Sequence, residues 1–294
     1  AMNDPVLYAE GLKKAFGGEV VFDELNLTVE AGEVVVLLGP NGTGKSVLAS
    51  CLAGGLSPSA GIVEVPGGKP GTTPGKTSFL LQDALCLDRL TGRENISFYD
   101  RLNPSFTTRW QTLVQTFGID DDLDDRVDQY SGGMRRKLEL AISLSVEAPL
   151  YILDEPTAAL DLTTVREVHH QLSKLRDRGK AILMTTHLPM DADVADRIVF
   201  MTDAGIVATG TPAEIKSSVP SVVETSLGNA DRIADDVIDE RLFRGDGVVR
   251  GLLAPNADPS SVADGVNNVR VTDPTYADVF NYYTHLNGQA EHLP

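Results

Sequence analysis

The sequence predicts an α/β protein whose largely parallel sheet is covered by helices, preceded by an antiparallel β region, interrupted by a helical insertion and followed by a small α+β appendage. Two observations predict it. Short apolar runs that read as buried strands alternate with an amphipathic helix beyond about residue 147, as in "PLYILDEP", "TTVREVHHQLSKLRDRG" and "KAILMTTH". Earlier, "EVVVLLGPNGTGKSVLASCLAGGL" reads as strand, glycine-rich loop and helix in direct succession.

The elements follow in order. "PVLYAEGLKKAFG" and "VVFDELNLTVEAGE" alternate apolar with polar residues between glycines, which predicts an antiparallel pair. "GIVEVPGGKPGTTPGKTSFLLQD" predicts a second strand pair around a Gly/Pro-rich loop. From about 90 to 147 the periodicity becomes helical, with loops at Asn103-Pro104 and Gly118–Asp125. "ADRIVFMTDAGIVATGTPAEI" closes the region as a hairpin and a short helix. Composition turns polar after Lys216, so the expected boundary separates 1–216 from an accessory region, 217–294. There Asp273 and Pro274 are placed to start a final helix.

With 294 residues, 42% of them hydrophobic, the chain can bury a sizeable core. A net charge of −17 argues against nucleic acid as a partner, which needs a basic footprint. Two cysteines, Cys51 and Cys86, are expected as reduced, apolar-site residues. No apolar run approaches the roughly 18 residues of a membrane span, and no signal peptide is expected at the start.

"GPNGTGKS" carries the chemistry. Gly39, Gly42 and Gly44 let successive N–H groups turn inward onto phosphate oxygens, and the following helix adds its positive end. Pro40, Asn41, Thr43 and Val47 complete the contacting run. Lys45 is placed to reach the β- and γ-phosphates, and Ser46 to offer a hydroxyl to Mg²⁺. At the end of the strand "LYILDEP", Asp154 suits a Mg²⁺ ligand and Glu155 a general base for the attacking water. His187, after "AILMTT", is placed to donate to a γ-phosphate, and Gln82, after "TSFLL", to sense Mg²⁺ and the water. A second glycine segment, Ser131-Gly132-Gly133, precedes a helix and forms another anion site. The first loop already surrounds one triphosphate, so the second is read as serving a neighbour's.

The order of loop, Gln, Ser-Gly-Gly, Asp-Glu and His resembles the nucleotide-binding subunit of ABC transporters over about Val6 to Ile215. "YSGGMRR", "LTGRENISFYDRL" and "DPTYADVF" resemble the branch that powers drug and antibiotic export. Tyr130 and Met134 depart from the more usual Leu and Gln of the family's signature. The resemblance implies the P-loop ABC-ATPase fold: a RecA-like parallel core, an antiparallel β subdomain and a helical subdomain at about 90–147. It implies ATP and Mg²⁺ as cofactors, ATP hydrolysis, and stacking of adenine on Phe16. It implies Asp161 in the loop that crosses to the partner, and a groove at Gln82 to about Ile96 for a membrane subunit's coupling helix. The expected partners are integral-membrane permease subunits on separate chains and a second cassette, identical or related. The expected location is cytoplasmic, peripheral on the inner face of the membrane. The alternative is a soluble ABC-type ATPase not coupled to transport. A P-loop GTPase is disfavoured by the lack of an Asn-Lys-x-Asp motif.

Overall fold

The structure is a computed structural model that describes residues 5–72, 75–81, 85–245, 247–259, 262 and 268–286. The chain divides into two compact units, Ala1–Ile206 and Val207–Pro294.

In the first unit, β1 (Leu7–Phe16) and β2 (Glu19–Val29) pair antiparallel, as the alternation predicts, and β4 (Ala60–Glu64) adds to the other side of β1. The central sheet is six-stranded, in the order β5 (Thr77–Leu80), β6 (Leu150–Asp154), β7 (Ala181–Thr186), β3 (Val34–Leu38), β8 (Arg197–Thr202), β9 (Gly205–Gly210). From β5 to β8 every pairing is parallel. The pair expected around the Gly/Pro-rich loop is therefore not a pair: β4 joins β1 in one sheet and β5 joins β6 in the other. Alternation identified each strand, but partner choice was decided by the buried edge that β6 offers to β5.

All five side chains of β3 are completely buried, and burying each Val or Leu contributes about 1.5–3 kcal/mol. The helix α1 (Lys45–Ala53) packs Leu48 and Leu52 into one core with Leu7, Leu12 and Leu27 of the antiparallel sheet and Val35, Ile152 and Leu183 of the parallel one. That core anchors the glycine loop from both sides.

The helical insertion holds α2 (Gly92–Leu102), α3 (Trp110–Phe117) and α4 (Gly132–Ser145). α2 opens with a capping box. Thr91 Oγ1 accepts from Glu94 N–H, and Glu94 Oε2 accepts from Thr91 N–H at 2.8 Å. The next residue, Asn95, is wholly buried. Its Oδ1 accepts from Leu87 N–H at 2.7 Å, and its Nδ2 donates to Leu87 O at 3.1 Å. The two residues of the "EN" pair thus fasten the 87–91 loop onto the helix start. The acidic stretch Asp120–Asp125 is turn, with Asp124 paired to Arg93 at 2.8 Å and Tyr130 Oη donating to Asp122 O at 2.6 Å. α5 (Leu162–Asp177), capped by Asp161, links β6 to β7.

The second unit carries α6 (Pro212–Ser217) and an antiparallel sheet ordered β11 (Phe243–Gly245), β12 (Val248–Leu252), β10 (Val222–Ser226), β13 (Arg270–Thr272). Its own core gathers Val223, Ile233, Val237 and Leu253. The final helix, α7, runs Tyr276–Asn281, and its cap is Thr275 rather than Asp273 or Pro274. Thr275 wins because Asp278 sits three residues on and closes a capping box, while the same buried carboxylate accepts from Arg250 Nη2 at 2.9 Å.

Candidate functional site

The strand order β6, β7, β3 sets three carboxyl-terminal strand ends side by side, the place where open α/β sheets take their ligands. Residues 39–44 leave β3 and enter α1 there. Gly39 must be glycine for space, because a Cβ would lie 2.0 Å from Met201 O. Gly44, at φ +90°, must be glycine for conformation as well, and a Cβ there would meet Val21 Cγ1 at 2.5 Å. Lys45 is 4% exposed and folds back over the loop, its Nζ donating to Gly39 O at 2.8 Å and Pro40 O at 2.7 Å. Burial pushes its ammonium below the ordinary lysine value, against the pull of the Glu155 and Asp154 carboxylates.

Register places Asp154 beside Thr185 across β6 and β7. Thr185 Oγ1 donates to Asp154 Oδ1 at 2.5 Å, and Ser46 Oγ donates to the same oxygen at 3.1 Å. Glu155 follows with its backbone in the left-handed region, φ 48°. Its N–H is held by Thr185 O and Thr185 Oγ1, both at 3.1 Å, and its Oε1 lies 3.1 Å from His187 Nδ1. The structure thus brings together Lys45, Ser46, Asp154, Glu155 and His187. Gln82 falls outside the described residues; β5, which leads to it, lies beside β6.

Ser131 is the N-cap of α4, its Oγ accepting from Met134 N–H at 3.2 Å. A Cβ on Gly132 would meet nothing within 4 Å, whereas one on Gly133 would approach Ala159 O at 3.2 Å. Phe16 ends β1, is 49% exposed, and has Lys14 Nζ 4.6 Å from its ring centroid. A cleft of about 250 Å³ joins Glu19 and Val20, just beyond it, to Gly42 and Thr43.

Several residues that hold the site were not singled out from the sequence. Thr185 is one. Asp191, wholly buried, accepts from Thr157 Oγ1 at 2.6 Å and Thr186 Oγ1 at 2.5 Å and lies 2.8 Å from His169 Nε2. It therefore clamps the segments that follow Glu155 and precede His187. Arg136 and Glu139 of α4 form a buried pair at 3.0 Å. The available signal was a polar stripe, Arg136, Glu139 and Ser143, on a helix otherwise rich in core positions.

Oxygen donors from Ser46 and Asp154 suit a hard divalent cation such as Mg²⁺. Among the described residues no group of three or more His, Cys, Asp or Glu side chains is arranged to hold a metal alone. Such an ion would share its coordination with substrate phosphates. Among the described residues no helix is long and apolar enough to cross a membrane.

A family model described as ABC transporter matches residues 22–158. The daunorubicin/doxorubicin resistance ATP-binding protein DrrA of Streptomyces peucetius is 36% identical over 271 residues, which cover 88% of this chain and 80% of that protein. This chain belongs to the ABC transporter family. A second relative, the Nod factor export ATP-binding protein I of Rhizobium johnstonii, is 36% identical over 212 residues, 69% of this chain and 68% of its own length. Among solved structures, an ATP-binding subunit of an ABC transporter superposes with a TM-score of 0.66 at 22% identity, covering 72% of this chain and 92% of that one. The dimeric bacterial ABC transporter cassette MJ0796 gives 0.63 at 22% identity, covering 70% of this chain and 98% of the cassette. The fold is that of the ABC ATPase cassette, and the chain is an ATP-binding member of the family.

Proposed function

We propose that this cassette hydrolyses ATP with Mg²⁺ to power export through membrane subunits carried on separate chains. The observation that carries the reading is the convergence of Ser46, Asp154, Glu155 and His187 on the loop that holds Lys45. Export is favoured by the relatives' names, one a drug-resistance protein and one a Nod factor exporter.

In this reading residues 39–47 cradle the triphosphate. Lys45 exchanges the Gly39 and Pro40 carbonyls for β- and γ-phosphate oxygens, and Phe16 stacks on adenine. Ser46 and Asp154, with Gln82, hold the Mg²⁺, whose charge offsets that of the phosphates. Glu155 orients and polarises the attacking water, and His187 donates toward the γ-phosphate. Two cassettes, identical or related, close head to tail, so that the partner subunit's Ser131, Gly132 and Gly133 cover the nucleotide. Leu87, Phe98 and Leu102, all more than 40% exposed around α2, offer an apolar face to a permease coupling helix. The chain then works as a peripheral protein on the inner face of the membrane. Residues 1–216 act as the cassette and 217–294 as an accessory domain that regulates or stabilises the dimer.

Sedimentation of Glu155→Gln tests the core of this. The variant should bind ATP, turn over slowly and accumulate as a dimer. A nucleotide-loaded variant that stays monomeric at every concentration would overturn the head-to-tail arrangement. Ser131→Arg should suppress hydrolysis while monomer affinity for ATP is unchanged; a loss of monomer affinity would place that segment in the chain's own site instead.

A further inference from the structure

We infer that Arg136 is a positioning residue that makes each catalytic site responsive to the other, an inference that rests on the head-to-tail reading above. Arg136 lies on the second turn of α4, the helix that Ser131 caps, and is only 5% exposed. Its Nη1 donates to Leu81 O at 3.0 Å and to Glu139 Oε2 at 3.0 Å. Its Nη2 donates to Glu155 O at 2.8 Å and also to Asp154 O. One guanidinium therefore joins the helix behind the Ser-Gly-Gly segment to the peptides of both active-site acids, and to the chain just after β5.

A packing role would need only the Glu139 partner, which neutralises the buried charge. The carbonyl bonds add something else. Glu155 is a non-glycine residue at φ 48°, a conformation that costs on the order of 1 kcal/mol or more and persists only where neighbours impose it. Its N–H side is fixed by Thr185, on β7 of the parallel sheet. Its carbonyl side is fixed by Arg136, on the helical insertion. The orientation of the Glu155 carboxylate thus depends on where α4 sits. In the head-to-tail pair the start of α4 rests on the nucleotide held by the partner, whereas Glu155 serves the nucleotide in its own loop. Engagement at one site shifts α4, and the planar, five-donor fork of Arg136 carries the shift to the acids of the other.

The test uses three full-length forms: wild type, Arg136→Lys, and the double variant Arg136→Met/Glu139→Leu, which removes both buried charges so that neither is left unpaired. Turnover is measured against ATP concentration, monomer binding with a fluorescent ATP analogue at dilute protein, and dimerisation by sedimentation with ATP. Wild type should show a Hill coefficient approaching about 2, the number of sites in the pair. The double variant should bind nucleotide as a monomer within about twofold of wild type and still dimerise. Its Hill coefficient should fall to about 1 and its turnover by up to about a hundredfold, the scale of a slightly misplaced catalytic group. Arg136→Lys, whose ammonium cannot span all the carbonyls, should fall between. A folded double variant with wild-type turnover and Hill coefficient would overturn the inference alone. Should the double variant fail to fold, Arg136→Lys decides: unchanged cooperativity overturns the inference, and reduced cooperativity with unchanged monomer binding supports it. A wild type that is hyperbolic in ATP and monomeric with it would instead overturn the head-to-tail reading, and the inference with it.

Discussion

His187 Nδ1 lies 3.1 Å from Glu155 Oε1, and the two residues come from the ends of adjacent parallel strands. The contact fixes one carboxylate oxygen against the imidazole; in the proposed mechanism the other faces the attacking water. In the proposed mechanism, replacing His187 by Ala removes the donor to the γ-phosphate and releases Glu155 at once. Loss of a single preorganised donor costs about 10²–10³ in turnover. His187→Ala should show that loss in kcat, with KM for ATP changed by only a few fold, since the proposed mechanism gives the binding to Lys45 and the loop N–H groups. A variant whose KM rises while kcat holds would mean that His187 binds substrate without assisting the reaction.

Thr185 offers a finer test, because its hydroxyl touches both acids at the strand end, at Asp154 Oδ1 and Glu155 N–H. Thr185→Val keeps the shape and removes the hydroxyl in a site with no exposure. Asp154 keeps Ser46, and Glu155 N–H keeps Thr185 O, so no buried group is orphaned. The expected stability loss is about 1 kcal/mol, that of one net hydrogen bond, read from denaturant midpoints at constant slope. The Mg²⁺ concentration giving half-maximal turnover should rise, because Asp154 is less firmly oriented. An unaltered Mg²⁺ dependence would separate Thr185 from the metal site.

The glycines of the loop are required for different reasons, and substitution should separate them. Gly39→Ala drives a Cβ into the Met201 carbonyl at 2.0 Å. The neighbour is backbone on β8, so relief requires strand movement, and the cost should be about 3 kcal/mol or more. Gly42→Ala meets nothing within 4 Å and is opposed only by its φ of +91°, a penalty of about 1–2 kcal/mol. Thermal unfolding should rank Gly39→Ala far below Gly42→Ala. ATP binding should follow a different order, because residue 42 lies in the loop proposed to cradle the phosphates.

What could be read from the chain, and what could not, divides by distance along it. The loop at Gly39–Ser46, the acids at 154 and 155 and the histidine at 187 each follow an apolar strand directly, so local pattern sufficed to place them at strand ends. Parallel order then made them neighbours. Arg136 was hidden because its partners are carbonyls of residues 81, 154 and 155, and a backbone acceptor has no sequence signature. Asp191 was hidden likewise: its three partners come from separate segments, and only the fold reveals that a carboxylate in "PMDADV" is wholly buried. The expected pairing of the strands on either side of the Gly/Pro-rich loop failed for a related reason. Period-two alternation identifies a strand but not the edge it will join.

Glu147, beyond the end of α4, is bridged by Lys180 and, at 2.5 Å, by Arg109 Nη2. The Lys180 bond, with Arg109 adding to it against the cost of burial, holds its carboxyl below the usual glutamate range. A carboxyl depressed in the folded state contributes stability above its unfolded value, and that contribution disappears as pH falls through the folded value. The side chain is 46% exposed, so the contribution is screened and should not exceed about 1 kcal/mol. Glu147→Gln should accordingly be slightly less stable than wild type at pH 7. The gap should close as pH drops below about 4, the range where an unfolded glutamate is protonated. It should also narrow in 1 M salt, where the Debye length shrinks to about 3 Å. Urea denaturation of both forms across pH 3–7 reads the difference directly. A gap that stays constant over that range would assign the loss to packing of the 145–150 turn rather than to charge.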